Sequence, residues 1–161
     1  MAAQFTVRIE NIDAIRQRLS GLSQRLRTNI MRGGMRAAVA VIRKLAREEA
    51  PRGRTGNLRR SIRVSTRSFR DGTVTGTIKA GGPVAFYANI VEVGAQPHSI
   101  SVTRANALAL GPRTFVKAVD HPGFAGRGYM RKAAEQGERA ASAAFEQYVQ
   151  QRVASYMETG K

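Results

Sequence analysis

The chain has 161 residues, no cysteine and no tryptophan, and carries 27 Lys and Arg against 11 Asp and Glu, a formal charge of +16. This length fits one domain whose core buries about two-thirds of the surface its unfolded form exposes. The missing cysteines exclude a disulfide framework and thiolate metal sites and suit a reducing cytoplasm. The opening Met1-Ala2-Ala3-Gln4-Phe5 lacks a basic segment followed by an apolar run, and the longest purely apolar stretch is 37–42, so neither a secretion signal nor a membrane span is expected.

The charge is uneven. Residues 1–70 hold 17 basic and 4 acidic groups, net +13, whereas 71–161 hold 10 and 7, net +3. Arginines make up 22 of the 27 cations. Their flat fork binds carboxylate or phosphate through paired hydrogen bonds, which favours phosphate contacts or protein interfaces; for any single arginine a solvated basic surface is the simpler expectation.

In chain order, 4–9 alternates Phe5, Val7 and Ile9 with polar residues, the period of a half-buried strand. Asn11 or Asp13 can cap a helix in which Ile12, Ile15, Leu19, Leu22 and Leu26 recur at steps of three and four, a spacing that Met31, Met35, Ala38, Ile42 and Leu45 continue. Pro51 stops it, because its ring disfavours helical geometry in the preceding residue. Gly33 and Gly34 interrupt the stripe, so 12–49 reads as two helices or one bent helix, packed on a sheet rather than coiled with a partner. The period then changes to two: 62–69 and 73–80 flank Arg70-Asp71-Gly72, and the Asp-Gly pair supplies the turn of a hairpin.

Gly81-Gly82-Pro83 breaks the second strand. Residues 85–93 fit a short helix or a strand equally, while 99–103, 107–110 and 114–119 are further strand candidates. From 127 to about 157 one long helix is expected, with a buried stripe of Met130, Ala133, Gly137, Ala141, Ala144 and Tyr148 whose small members let a neighbouring backbone approach. The expected fold is α+β: N-terminal helices and a long C-terminal helix packed on a mostly antiparallel sheet.

Chemistry-bearing patterns are sparse. His98 and His121 are the two histidines, both near prolines, and would need Glu92 or Asp120 beside them to form a metal or acid-base site. HExxH, paired ligand spacing and a Gly-x-Ser-x-Gly elbow are absent, so no catalytic residue, metal or cofactor is expected. Residues 123–128, Gly-Phe-Ala-Gly-Arg-Gly, are neither a dinucleotide fingerprint nor a P-loop and read as a loop before the long helix. The segment from Pro51 to Arg60 clusters Arg52, Arg54, Arg59 and Arg60 around Thr55, with Leu58 and Ile62 as apolar anchors and the arginines expected to face outward. Few aromatics are available to stack bases and the pattern is not that of a recognition-helix module, so sequence-specific nucleic-acid reading is not expected; non-specific backbone contact stays open.

Three segments in fixed order carry a further signal: Pro51 with Arg54-Thr55-Gly56-Asn57-Leu58-Arg59-Arg60-Ser61-Ile62, then Tyr87-Ala88 with Val91-Glu92-Val93-Gly94, then His121-Pro122-Gly123 leading into Arg127-Gly128-Tyr129-Met130. Together they resemble a family of tailed-phage neck proteins whose pattern is Arg-Thr-Gly-x-Leu-x-x-Ser-Ile, Tyr-Ala with Val-Glu-x-Gly, and His-Pro-Gly before an aromatic-rich helix start. Val93 stands where that family usually has an aromatic, and Gly128-Tyr129 where it has a proline-aromatic pair. The resemblance implies one head-tail joining or tail-completion domain over 1–161, a virion component without catalysis, assembled in the host cytoplasm and placed at the head-tail junction. It further implies self-association into a ring, six copies preferred, with neck, tail-tube or connector proteins as neighbours and non-specific contact with genomic DNA left open. The implied interface runs through Arg52, Arg54, Thr55, Asn57, Arg59, Arg60, Tyr87, Glu92, His98, His121, Arg127 and Tyr129. The alternative is a small basic protein that binds nucleic acid non-specifically.

Overall fold

The computed structural model describes residues 3–7, 15, 17, 19–103 and 107–159. Three antiparallel strands, β1 (Ala3–Val7), β2 (Arg63–Ser68) and β3 (Val74–Ala80), form a sheet in the order β1-β3-β2. The period-two pattern divides its faces. Phe5 and Val64 both lie opposite Ile78, and Val7 and Thr66 opposite Gly76, so these residues share one face; Gln4, Arg63, Ser65, Arg67 and Lys79 line the other, exposed one. The Arg70-Asp71-Gly72 turn closes the hairpin as expected: Asp71 Oδ1 accepts from the Thr73 amide at 2.9 Å, and Gly72 takes a φ of 80°.

Helix α1 (Gln24–Glu49) lies on the apolar face of this sheet. Ser23 begins it, its hydroxyl accepting from the Leu26 amide at 3.4 Å, and Ala50 ends it in extended geometry before Pro51. Of the two readings of 12–49, the structure has the break near Gly21, not at Gly33-Gly34; the caps proposed at Asn11 and Asp13 and the strand end at 8–9 lie outside the described residues. Gly33 and Gly34 continue the helix because their missing side chains are filled from elsewhere. A Cβ on Gly33 would strike the Tyr148 ring, and one on Gly34 would press on Phe145 and Val149.

Those three residues belong to the C-terminal helix α4 (Tyr129–Thr159), which packs along α1, so that α1 separates it from the sheet in a three-layer body. The close approach is reciprocal: Gly137 of α4 receives Ile42 and Leu45 of α1. The small-residue stripe is thus spent within the chain, and its far end runs through Phe145 and Val149, fully or nearly fully buried, while Ala144 and Tyr148 are half-exposed. On the opposite side, Gly76 of β3 meets Met35 and Val39 of α1. Among the described residues no helix is long and apolar enough to cross a membrane.

Between α1 and β2 the Arg-Thr-Gly segment forms the short helix α2 (Asn57–Ser61), entered through Gly56 at a φ of 64°. Leu58 and Ile62 point into the core, and Ser61 Oγ donates to Leu58 O at 2.7 Å while accepting from the Gly81 amide at 3.0 Å, tying the segment to the end of β3. A Leu58→Ala variant is expected to lose about 2–4 kcal/mol of unfolding free energy in a denaturant titration, the range for emptying a buried site that collapses incompletely. A loss below about 1 kcal/mol would show that the segment is not anchored through this side chain.

A candidate interaction surface built on a protruding arm

After β3 the chain makes a single 3-10 turn (Pro83–Ala85) and helix α3 (Ala88–Val93), the helical alternative for that stretch. The described residues 94–103 and 107–125 then leave the body and return as two antiparallel sides. The base pairs β4 (Gly94–Ala95) with β9 (Phe124–Ala125), the middle pairs β5 (His98–Ser101) with β8 (Ala118–His121), and the outer part pairs β6 (Leu108–Ala109) with β7 (Phe115–Val116). The separate strand candidates of the sequence are therefore the two sides of a single arm. No described residue from 94 to 127 is buried.

The arm emerges from a locked base. Glu92, 8% exposed, turns its carboxylate onto the start of α4: Oε2 accepts from the Met130 amide at 2.8 Å and Oε1 from the Arg131 amide at 3.1 Å. This satisfies two of the amides that a helix leaves unpaired in its first turn and places negative charge at the positive end of the helix dipole. Main-chain bonds close the same junction, Arg127 N to Val91 O at 2.8 Å and Gly128 N to Glu92 O at 3.0 Å. Gly94 makes this possible. Its φ of 88° is unfavourable for a side chain, and a Cβ there would run into the backbone at Phe124 and Gly126.

Tyr129, 1% exposed, fills the interior behind this junction, its hydroxyl donating to Ala88 O at 3.4 Å. Burial, then the charge of Glu92, then Tyr87 push its phenol well above the ordinary tyrosine range. Glu92 and Tyr129 are therefore fixtures of the scaffold, not exposed interface residues. Tyr87 is half-buried, its ring edge-on to Phe86 with centroids 5.6 Å apart, and the Arg127 side chain is exposed.

Farther out, His98 and His121 sit directly opposite each other in the ladder with rings stacked, centroids 5.2 Å apart. His98 Nδ1 donates to Gln96 O at 2.8 Å, and His121 Nδ1 accepts from the Gly123 amide at 3.0 Å, which puts the His121 proton on Nε2. Neither histidine gains Glu92, which is held by α4. Among the described residues no group of three or more His, Asp or Glu side chains is placed to hold a metal ion.

The arginine loop divides. Arg52, Arg54 and Thr55 are exposed. Arg60, also exposed, donates to Thr55 O at 2.8 Å and Asn57 Oδ1 at 2.6 Å, and Asn57 Nδ2 donates to Val84 O at 3.4 Å, so these two stiffen the loop against the turn after β3. Arg59 departs from the expectation that it faces outward. Its guanidinium folds back onto the end of α1, donating to Ala50 O from Nε at 2.9 Å and Nη2 at 2.7 Å, and to Glu48 O at 3.2 Å. The physical reason lies in Pro51: the helix stops abruptly, its last carbonyls lack amide partners, and a cation suits the negative end of the dipole.

Sequence reasoning missed the apolar surface at the arm's root. Val84, Phe86, Ile90 and Val93 are exposed, Phe86 by 70%, and Ile100, Leu110, Phe115 and Phe124 are exposed along the arm itself. The signal was available in 85–93, where Phe86, Ile90 and Val93 recur at helical steps. Ile90 and Val93 lie on the six-residue α3 and Phe86 just before it, and all three are exposed.

An α+β body thus holds out an arm in which no described residue is fully buried. The family model described as "Bacteriophage HK97-gp10, putative tail-component" matches residues 13–94, just over half of the chain. The chain belongs to this family and, with it, to the structural components of phage tails. The match ends at Gly94, where the arm begins. Comparison with curated proteins and with solved structures gives no match.

Two predictions follow from the geometry. Arg59→Ala is expected to cost about 1–2 kcal/mol by leaving the end of α1 without its donors, whereas Arg54→Ala stays within about 0.5 kcal/mol; equal losses in parallel melts would show that Arg59 is no cap. Tyr129→Phe tests the buried phenol. A phenol whose pKa is raised by folding contributes fully below its unfolded value, about 10, and loses that contribution as the pH rises beyond it. Stability measured from pH 8 to 11 should therefore fall more steeply above about pH 10 in the parent than in Tyr129→Phe; parallel curves would refute the assignment.

Proposed function

We propose that the chain is a structural virion protein of the phage head-tail junction, assembling there as a ring, with six copies preferred, that completes or attaches the tail. The observation that carries this reading is the arm. A two-stranded ribbon is marginally stable alone in water, and this one places Ile100, Leu110, Phe115 and Phe124 in solvent. In a closed ring each subunit presents the same two surfaces to its neighbours, so an arm from one copy has a fixed partner surface on the next. The apolar residues Val84, Phe86, Ile90 and Val93 at the arm's root offer such a surface.

In this assembly the exposed members of the expected interface, Arg52, Arg54, Thr55, Arg60, His98 and Arg127, with half-buried Tyr87 and His121, set register and partner choice, while the apolar residues supply affinity. Neighbouring neck, tail-tube or connector proteins would take the two open faces of the ring. The fold itself does not need the arm, because its base is closed by Glu92 and the Val91 and Glu92 carbonyls. Replacing 97–122 with an Asn-Gly turn should therefore leave the melting temperature within a few degrees of the parent, yet fail to restore tailed particles when supplied to a deletion phage. Normal tailed particles from that variant, or images of intact parent particles lacking a ring at the neck, would rule the reading out.

A further inference from the structure

Helix α1 carries a row of arginines, all but the last of which folding does not account for. Arg25, Arg32, Arg36, Arg43 and Arg47 follow one another at steps of seven, four, seven and four. At 100° and 1.5 Å per residue these steps keep all five within an arc of about 60° along roughly 33 Å of helix. Arg25, Arg36 and Arg47 are exposed and Arg32 and Arg43 half-buried. At its C-terminal end the row enters an open groove whose lining adds Lys44, Arg59 and Arg60 and a single carboxylate, Glu48.

The row opposes stability in two ways and is unpaired over most of its length. Arg32 with Arg36, and Arg43 with Arg47, are like charges four residues apart on one face, an unfavourable spacing. Arg25 stands in the first turn of α1, where a cation opposes the dipole. Among the described residues, Arg25, Arg32, Arg36 and Arg43 make no hydrogen bond or ion pair; Arg47 alone donates to a main-chain oxygen, Ile62 O at 3.1 Å. A surface that repels itself over this length is relieved by a ligand whose negative charges repeat along it.

Duplex DNA has that property, with one phosphate charge per about 1.7 Å of axis and a helical turn of about 34–36 Å. An acidic protein surface fits less well, because stable protein interfaces centre on buried apolar or aromatic anchors, and the exposed large apolar residues of the described chain lie on other elements, none on α1. Single strands fit less well again, since α1 has no aromatic side chain on which bases could stack. We propose that this arginine ridge binds the phosphate backbone of duplex DNA without reading its sequence. The proposal is independent of the ring and of its place in the particle, because it is read from the purified chain.

The test is fluorescence anisotropy with a labelled 30-bp duplex of mixed sequence and a scrambled counterpart, between 50 and 200 mM salt. Four or five phosphate contacts should give a log-log salt slope of about −4, a loss of roughly 200-fold across that range, equal for both sequences. The triple variant Arg25→Gln, Arg32→Gln, Arg36→Gln should flatten the slope by about 2 to 3 and weaken binding at least tenfold at 100 mM salt. The same three positions as lysine should retain binding, as should Arg113→Gln with Lys117→Gln on the arm, and circular dichroism melts would establish that each variant is folded. Absence of binding, unchanged binding in the folded glutamine variant, or clear preference for one duplex would overturn the proposal. So would displacement by polyglutamate as readily as by unlabelled duplex at equal charge, which would identify an acidic protein as the ligand.

Discussion

The Glu92 carboxylate joins the parts of this molecule that have different tasks. It projects from a six-residue helix and accepts the Met130 and Arg131 amides at the start of a 31-residue one. The thirty-odd residues between them leave the body and return, so the two ends of the arm are held by charge-assisted hydrogen bonds in a nearly water-free place. Removing the carboxylate would leave two amides without partners at a buried helix start, a cost of about 1–3 kcal/mol each where water cannot reach them. It would leave the ends of the arm joined only by the main-chain bonds of Arg127 and Gly128 and by the β4–β9 pairing. The direction in which the arm points thus depends on a residue that contributes nothing to the surface.

The body that supports this junction is made stiff by the absence of side chains. Layers of strands, α1 and α4 approach closely because Gly76 admits Met35 and Val39 from one side of α1, while Gly34 and Gly137 admit Phe145 and Ile42 on the other. Large residues fall opposite small ones at each contact, and close packing of this kind leaves little room for the layers to slide. An arm without buried residues can be presented reproducibly only if its root is rigid, and these contacts supply that rigidity. Packing and function are linked here through geometry, since no chemistry passes between them.

Much of this was legible in the sequence where one physical rule dominated. The Asp71-Gly72 turn, the stop at Pro51, the anchors Leu58 and Ile62 and the long C-terminal helix each follow from a local preference or a simple period. Where two rules competed, the reading was less secure. Gly33 and Gly34 look like a break by propensity, yet tertiary contacts with Tyr148 and Phe145 override it. Arg59 looks like its neighbours, and only the three-dimensional return of α2 toward the end of α1 converts it into a cap. The three candidate strands beyond Gly94 were visible singly, but the longer pairings, β5 with β8 and β4 with β9, leave no local trace, so the arm as a unit was not. Charge was legible as an amount and not as a place: the excess in residues 1–70 was plain, while its alignment along one face of α1 requires knowing where that helix is continuous.

The motifs that carry the family resemblance turn out to be mostly instructions for the scaffold. Thr55-Gly56 starts α2 and Ser61 ties it to Gly81; Glu92 and Gly94 make the closed root; His121 and Gly123 shape the return strand, where a Cβ on Gly123 would meet the backbone at Ala95 and Pro97. Such positions need one particular residue for a backbone reason, so they recur as a recognisable pattern. The surfaces they hold out are under no such constraint. The family match covers α1, the arginine loop, the hairpin and α3 and stops at Gly94, short of His121 and Gly123. The matched part ends with Glu92 and Gly94, the residues that fix one side of the arm's root.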